Sequence, residues 1–531
     1  MPSGGHQRAF AAGLLAALLV LVFTAYRSAL DAWFATDDFL WLDLSHTSSV
    51  LASFVGPWGH GAAYRPLPRV SFWIDALLFG RAASPWHAHS LALHALGSTM
   101  LGILVHRLSG ERALAILSAV IFALLPLSYE ATIWISGRMY VQCVPLALTS
   151  ALLFDRWLLR PGGGRLLPFV LALALTFATY EGSVYVVAII ALVALIRVCD
   201  GERPPRAIVG LALTVVLAIA YLLLRRRFVG PGDFLPTRPV LALAFLDDLR
   251  AVGSLFLSQV TPALWPFALT AVAAAVFAPR MLAIAGLGVV LAAAAYAPFS
   301  FVSSFGMRYL YAAGLGLSIT LAALVVGMAR VPRIGLPVAA LLFVLLLRGE
   351  WTGVTAAARD WAEAGALAQR TLADVARVVP PAPRDEAVAV FDVPLQHGRA
   401  MTFFTYFDVA MRLFHPEVPR LVLPMHYLVE LDEDAGWMSI ATTWDREAAR
   451  RATAHLAPLA CQSAAPLRSR DRVAVARALL ACDTTFVALA GPQGARPIGR
   501  AEALDRLKRK LGPAIDAEPG PTPVRRRETP G

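Results

Sequence analysis

Apolar runs recur from the N-terminus to about residue 347, each broken by a short polar or arginine-bearing loop. Most are long enough, or nearly so, to cross a hydrocarbon core that takes about 20 helical residues. The reading is a mainly α chain: a polytopic membrane helix bundle of about 11 transmembrane helices, followed by a small C-terminal α/β domain. The segments fall at roughly 9–29, 87–106, 112–127, 139–158, 166–180, 183–197, 207–224, 255–278, 281–297, 308–328 and 334–348. The first is too long for a signal-peptide core and lacks a clear small-residue cleavage site, so it reads as a retained helix. At 58% hydrophobic and 16% charged residues, the composition excludes an ordinary soluble domain. A net charge of +11 invites a nucleic-acid reading, but the arginines punctuate hydrophobic segments and do not form a basic face.

Arginine in the short loops sets the expected orientation. Arg107 and Arg112, Arg156 to Arg165, Arg197 to Arg206, Arg280, and Arg330 with Arg333 all fall on one side, the cytoplasmic one if the N-terminus is inside. The other side receives the long loop 30–86 and the shorter loops 128–138, 225–254 and 298–307. An odd number of crossings then exports the C-terminal region, making this a multi-pass protein of a bacterial inner membrane with a periplasmic domain. The domain reading is a membrane part at 1–348, an α/β domain at 349–511 and a disordered tail at 512–531 rich in Pro, Arg and Glu. In the α/β part, "AVAVFDVP", "RLVLPM" and "TFVALAG" read as short buried strands. Of the four cysteines, Cys143 and Cys199 lie in or beside membrane segments, while Cys461 and Cys482 can pair in an oxidising compartment.

Ionisable residues collect at the exported ends of the helices: Asp37, Asp38, Arg65, His87, His94, Glu130, Arg138, Glu181, Arg225, Arg226, Arg227 and Arg308. Charge at membrane depth is costly and faces a cavity or a partner, which makes the cluster a candidate polar cavity. In "FATDDFLWL" the adjacent Asp37 and Asp38 suit general-base work, one carboxylate taking a proton and the other orienting it. The bland alternative is a helix cap in a solvated loop. Tyr64 and Arg65 open "YRPLPRVSFWIDALLFG", which reads as an amphipathic interfacial helix. His87 and His94, seven positions apart on one helical face, serve either as buried hydrogen-bonding groups or as metal ligands. No carboxylate follows at helical spacing, so no metal or other cofactor is expected. Glu130 and Arg138 are close enough in the chain to pair with each other. Arg225, Arg226, Arg227 and Arg308 present the planar fork that matches phosphate oxygens.

In order along the chain stand "DD" after the first helix, "YRPL", "PWHAHSLALH", "EATIWISGR", a Glu at the next exported turn and "RYLY" before a late helix. This order resembles the membrane-embedded GT-C glycosyltransferases, especially the transmembrane TPR-containing O-mannosyltransferases and their bacterial relatives, over residues 10–350. The resemblance implies a polyprenyl-phosphate sugar donor and a periplasmic glycan, lipid or protein acceptor. It lands on Asp37 and Asp38, where a carboxylate of the acidic motif serves as catalytic base or orients the acceptor, and on Arg65, His87, His94, Glu130, Arg138, Glu181 and Arg308, with Tyr64 and Tyr309 in the same motifs; the residues themselves suggest that Arg308, the Arg225 cluster and Arg65 hold the donor phosphate. The chain departs from the family pattern at Ser90, where Asn is frequent, at Tyr140, where an acid is common, and at Tyr180, where a base often precedes the Glu. The TPR array is absent. The competing readings are a lipid or glycan transporter or flippase, and a non-catalytic envelope-assembly protein.

Overall fold

The structure, a computed structural model, describes residues 4–56, 64–201, 204–229, 265–299, 306–379, 387–403, 406–418, 421–426, 476–477, 479–480, 484–491, 494–511 and 515. Cys461, Cys482, most of the loop expected at 225–254, and the tail expected at 512–531 apart from Ile515 lie outside the described residues. The described chain divides into two compact units, residues 1–366 with 396–402, and residues 367–395 with 403–531.

The first unit is a helical bundle, as it must be where no water is present to satisfy a backbone. Its helices are α1 (Gly4–Ala25), α2 (Asp38–Thr47), α3 (Ala52–Val55), α4 (Pro66–Phe79), α5 (Ala83–Ser109), α6 (Arg112–Leu124), α7 (Tyr129–Ile133), α8 (Arg138–Leu159), α9 (Gly163–Phe177), α10 (Val186–Cys199), α11 (Pro204–Val229), α12 (Trp265–Phe277), α13 (Pro279–Tyr296), α14 (Ala313–Met328) and, as far as residue 366, α15 (Gly335–Val378). Among the described residues, 7 helices are long and apolar enough to span a membrane, or 8 when α6 and α7, bent by 50° at Pro126, count as one broken span. The chain is a multi-pass membrane protein. Outward-facing Leu, Ile and Val on α9, α11, α13 and α15 form an apolar exterior, the surface that a bilayer accepts and water does not.

Three local features bear on function. First, α11 continues to Val229, so Arg225, Arg226 and Arg227 occupy its last turns and not a loop; Arg225 is buried and the other two are exposed. Second, α4 has its polarity turned inside out. Trp73, Ile74, Leu77, Leu78 and Phe79 are exposed, while Arg69, Ser71 and Asp75 are buried. Arg69 explains part of this by capping the C-terminus of α2: it donates to the Leu44 carbonyl, to the Ser48 carbonyl at 3.0 Å and to the Ser45 hydroxyl at 2.9 Å, where a helix leaves carbonyls unpaired. Third, the last apolar run and the amphipathic stretch after it are one helix of 44 residues, α15, running through position 349.

At the end of the bundle opposite the acidic pair, Asp155 is fully buried. It accepts from Arg107 at 2.9 and 2.5 Å and from Arg197 at 2.6 Å. Two of the arginines that read as loop punctuation therefore share one interior carboxylate.

The second unit holds a four-stranded sheet in the order β4-β1-β5-β6. Its strands are β1 (Ala387–Phe391), β4 (Leu421–Pro424), β5 (Thr484–Leu489) and β6 (Ala495–Ile498); a short hairpin of β2 (Gln396–His397) and β3 (Ala400–Met401) belongs to the first unit. β1 runs parallel to both β4 and β5, and β6 is antiparallel to β5. β1, β4 and β5 are the three runs that the sequence marks as buried strands. On one face Ala389, Phe391, Leu423 and Phe486 pack with Leu479 and Leu507 in a single core, and Val388, Val390, Val422 and Val487 on the other face are buried as well, as a mostly parallel sheet requires.

Candidate active site

Successive crossings alternate in direction, so α1, α9 and α11 end, and α5, α8 and α10 begin, at the same end of the bundle. The acidic pair lies there. After α1, a 3₁₀ turn (Arg27–Asp31) and an extended step carry the chain to Thr36, which adopts φ 43°. That conformation strains a β-branched residue and persists only where its surroundings impose it. Thr36 is buried, and its N–H donates to the Thr402 carbonyl at 2.8 Å. Asp37 occupies the N-cap position of α2 and Asp38 its first turn.

The two aspartates differ sharply in setting. Asp38 is 1% exposed. Its Oδ2 accepts from the Ala35 N–H at 3.0 Å, and its Oδ1 accepts from the Ser136 N–H at 2.7 Å and from the Ser136 hydroxyl. Burial pushes its pKa up to about 7, with the adjacent Asp37 adding to the rise and the Ser136 and Ala35 hydrogen bonds opposing it. Asp37 is half-buried and makes no side-chain cap bond to α2. The pair is therefore not a helix cap. One carboxylate is fixed by three donors, and it holds the start of α2 in place beside the other.

Ser136 belongs to "EATIWISGR", which spans α7, a 3₁₀ turn (Ile135–Gly137) and the start of α8. A Cβ at Gly137 would lie 2.9 Å from the Ala131 carbonyl, so only glycine permits this fold-back. Glu130 and Arg138 do not pair with each other. Arg138 points inside the bundle with no exposure: it donates to Asp75, to the Trp86 carbonyl at 2.7 Å and to the Ser90 hydroxyl at 3.2 Å. Its guanidinium also lies 4.9 Å from the Phe72 ring centroid. The second oxygen of Asp75 meets His89 Nδ1 at 2.8 Å.

Glu130 instead holds Arg308. It accepts from the Arg308 guanidinium and from its backbone N–H at 3.0 Å. The guanidinium sits 5.1 Å from the Trp134 ring and 4.8 Å from the Tyr309 ring. A second pair mirrors this one. Arg65, which precedes α4, donates to Glu181 through Nε at 3.0 Å and Nη2 at 2.5 Å. Arg308, Arg65 and Glu181 lie within electrostatic reach of Tyr140. Burial alone would lower the pKa of each arginine, but the neighbouring carboxylates and phenols hold both above the usual guanidinium value, so both stay cationic. Between the pairs, Tyr140, Tyr180, Phe299 and Tyr309 form an aromatic cluster, with Tyr140–Tyr180 centroids at 4.8 Å and Phe299–Tyr309 at 4.9 Å. A Cβ at Gly182 would come 2.7 Å from Phe299, which is how the turn carrying Glu181 fits beneath that ring.

Arg225 lies within electrostatic reach of Glu181. Arg65, Arg225 and Arg308 thus stand with Glu130 and Glu181, three cations to two carboxylates, an excess of positive charge that the exposed Arg226 and Arg227 extend. Tyr64 anchors this corner: its ring stacks on Phe228 at 4.9 Å, and its carbonyl accepts from the Tyr221 hydroxyl at 3.1 Å.

The histidines are interior groups. His94 has both ring nitrogens engaged, Nδ1 with the Tyr311 hydroxyl at 2.8 Å and Nε2 with the Ala123 carbonyl at 3.0 Å. His87 Nδ1 meets the Ile133 carbonyl at 2.8 Å. Among the described residues, no group of three or more His, Cys, Asp or Glu side chains could hold a metal ion.

Sequence reasoning missed Asp75, Ser136 and Arg69. A lone acid inside "SFWIDALLF" was a usable signal, because a carboxylate in an apolar helix needs a cationic partner. Ser136 carried no signal of its own.

The bundle and its charged end define a multi-pass membrane protein with buried acidic and arginine groups gathered at one side. No family model and no curated protein matches the sequence. Among solved structures, the chain is similar to ArnT from Cupriavidus metallidurans bound to undecaprenyl phosphate, with 12% identity, 82% of this chain and 89% of that one covered, and a TM-score of 0.47. It is also similar to the archaeal oligosaccharyltransferase AglB from Archaeoglobus fulgidus in complex with an inhibitory peptide and a dolichol-phosphate, with 11% identity, 77% and 64% covered, and a TM-score of 0.41. A third structure, the Archaeoglobus fulgidus oligosaccharyltransferase in complex with Zn and sulfate, gives 12% identity, 77% and 62% covered, and a TM-score of 0.40.

Proposed function

We propose that this chain is an inner-membrane glycosyltransferase that moves a sugar from a polyprenyl-phosphate donor to an acceptor hydroxyl on the periplasmic side. The observation that carries the reading is the division of labour within the acidic pair. Asp38 is tied down by Ala35 and Ser136, while the half-buried Asp37 stands beside it. Ser136 is two residues from Trp134, the ring over which Arg308 lies, so the acidic pair and one arginine–glutamate pair share a single short segment. The resemblance to GT-C enzymes rests on these same motifs.

In the reaction, the acceptor oxygen attacks the anomeric carbon as the bond from that carbon to the phosphate oxygen breaks. The hydroxyl proton passes to Asp37, and the polyprenyl phosphate leaves with the bonding electron pair, inverting the configuration. Asp38 acts as the positioning residue. Arg65, Arg308 and Arg225, with Arg226 and Arg227 beside them, offset the charge that grows on the phosphate, as preorganised cations do for a transition state. Each glutamate occupies only part of its arginine's five-donor fork, so the remaining N–H groups can meet phosphate oxygens. The apolar exterior of α11, which carries Arg225, leaves the prenyl tail in the bilayer while the head group reaches the charged end.

The test uses purified protein with labelled polyprenyl-phosphate sugars, comparing wild type with Asp37→Asn and Asp38→Asn. Unchanged transfer in both variants would overturn the assignment. Lipid moving between leaflets without turnover of any sugar donor would favour a flippase.

A further inference from the structure

One buried acid has no part in this reaction. Glu350, on α15, is 2% exposed, and both carboxylate oxygens are buried without a hydrogen-bond partner. Its position explains the burial. Residues 350, 354, 357 and 361 recur at helical spacing, and Val354, Ala357 and Trp361 join Tyr26, Tyr129 and Trp134 in one core. One turn away, a Cβ at Gly353 would lie 2.8 Å from the Pro126 side chain, so α15 is pressed against the break between α6 and α7.

A cluster of hydroxyls lies near it. The Tyr26 phenol lies within electrostatic reach of Glu350 and beside the hydroxyls of Ser128 and Thr132. The Tyr26 and Thr132 hydroxyl oxygens are also buried without a hydrogen-bond partner. Ser128 spends its proton on the Leu125 carbonyl at 2.6 Å and keeps its lone pairs. No basic side chain among the described residues pairs with Glu350. Orphaned oxygens gathered in one apolar place call for an occupant, since buried polar atoms are rarely left unpaired. The donor set is all oxygen, which selects a hard cation over a thiolate- or imidazole-loving metal. A single carboxylate balances a single positive charge, whereas a divalent ion would leave net charge in the core.

We propose that Glu350, Tyr26, Thr132 and Ser128 form a site for one monovalent cation of the sodium type at the break between α6 and α7. Broken membrane helices serve such ions elsewhere. The bound ion would brace α7, which carries Glu130 and through it Arg308. The inference stands apart from the proposed reaction and can fail or hold without it.

The test is thermal unfolding of the full-length protein in detergent, in sodium chloride against choline chloride at equal ionic strength. The wild type melts higher in sodium, with a saturable dependence on its concentration. Glu350→Gln abolishes that dependence, and Thr132→Val raises the half-saturating concentration several-fold. Equal melting of the wild type in both salts overturns the proposal, as does a sodium shift that survives in Glu350→Gln. If Glu350→Gln does not fold, an unchanged half-saturating concentration in Thr132→Val overturns it.

Discussion

Asp38 and Ser136 are 98 residues apart in the chain, yet the Ser136 N–H and hydroxyl both donate to the same carboxylate oxygen of Asp38, the N–H at 2.7 Å. That contact fastens the first loop of the chain to the motif between α7 and α8. It makes Asp38 a fixed element of the first loop.

Ser136→Ala removes one donor and leaves the backbone bond. A neutral donor to a charged acceptor contributes about 1.5–3 kcal/mol, so kcat falls by roughly 10- to 100-fold while KM for the lipid donor changes little. Steady-state kinetics with donor and acceptor varied separately read the split. An unchanged kcat would show that the Asp38 tether is irrelevant to turnover.

The pH dependence follows from the elevated Asp38 pKa of about 7. A carboxyl whose folded pKa exceeds its unfolded value binds its proton more tightly in the native state. The stability from this group is fully present below the unfolded value of 3.8 and is lost as pH rises through about 7. Asp38→Asn therefore flattens the decline in melting temperature between those limits, measured over that pH range in one detergent. Turnover runs the other way: ionised Asp38 is the form that accepts all three donors, so activity rises as pH passes about 7.

Arg308→Lys keeps the charge and loses the fork that meets both Glu130 and a phosphate. Removing one positioned hydrogen-bond donor from a transition state costs about 10²–10³ in kcat. Glu130→Gln in the same background recovers none of it, since the loss comes from phosphate contact and not from the pair. Recovery on removing Glu130 would mean that the glutamate competes for the arginine and is not there to position it.

Arg138 and Asp75 form an ion pair with exposures of 0% and 1%. Removing one partner, as in Asp75→Ala, strands a buried cation and destabilises by about 3–5 kcal/mol. Replacing both, Asp75→Leu with Arg138→Met, restores most of the stability. A double-mutant cycle by thermal unfolding checks this, and additive losses would show that the two do not act as a pair.

The helices were legible because a bilayer leaves a chain few ways to satisfy its backbone, and long apolar runs record the choice directly. The buried strands "AVAVF", "LVLP" and "TFVAL" were legible for a similar reason: a sheet covered on both faces leaves continuous apolar runs. The continuity of α15 through position 349 was not, because one polar turn looks the same at a boundary as inside a long helix. The three departures from the family pattern also changed meaning. Tyr140 and Tyr180, which stand where that pattern carries an acid and a base, pack ring against ring at 4.8 Å. Ser90 accepts a hydrogen bond from Arg138 at 3.2 Å.

By itself the sequence determined that the chain crosses a membrane many times and that a group of acids and arginines, from Asp37 to Arg308, stands at the end opposite the arginine-rich short loops, since hydrophobic periodicity and loop charge are local quantities. Only the tertiary structure decided who pairs with whom. Glu130 holds Arg308 and not Arg138, Arg65 holds Glu181, and Asp38 answers to Ser136. Partners in a low-dielectric interior are chosen by which side chains the packed helices bring within hydrogen-bond distance. That choice spans separations of 98, 116 and 178 residues, on which local sequence has no purchase.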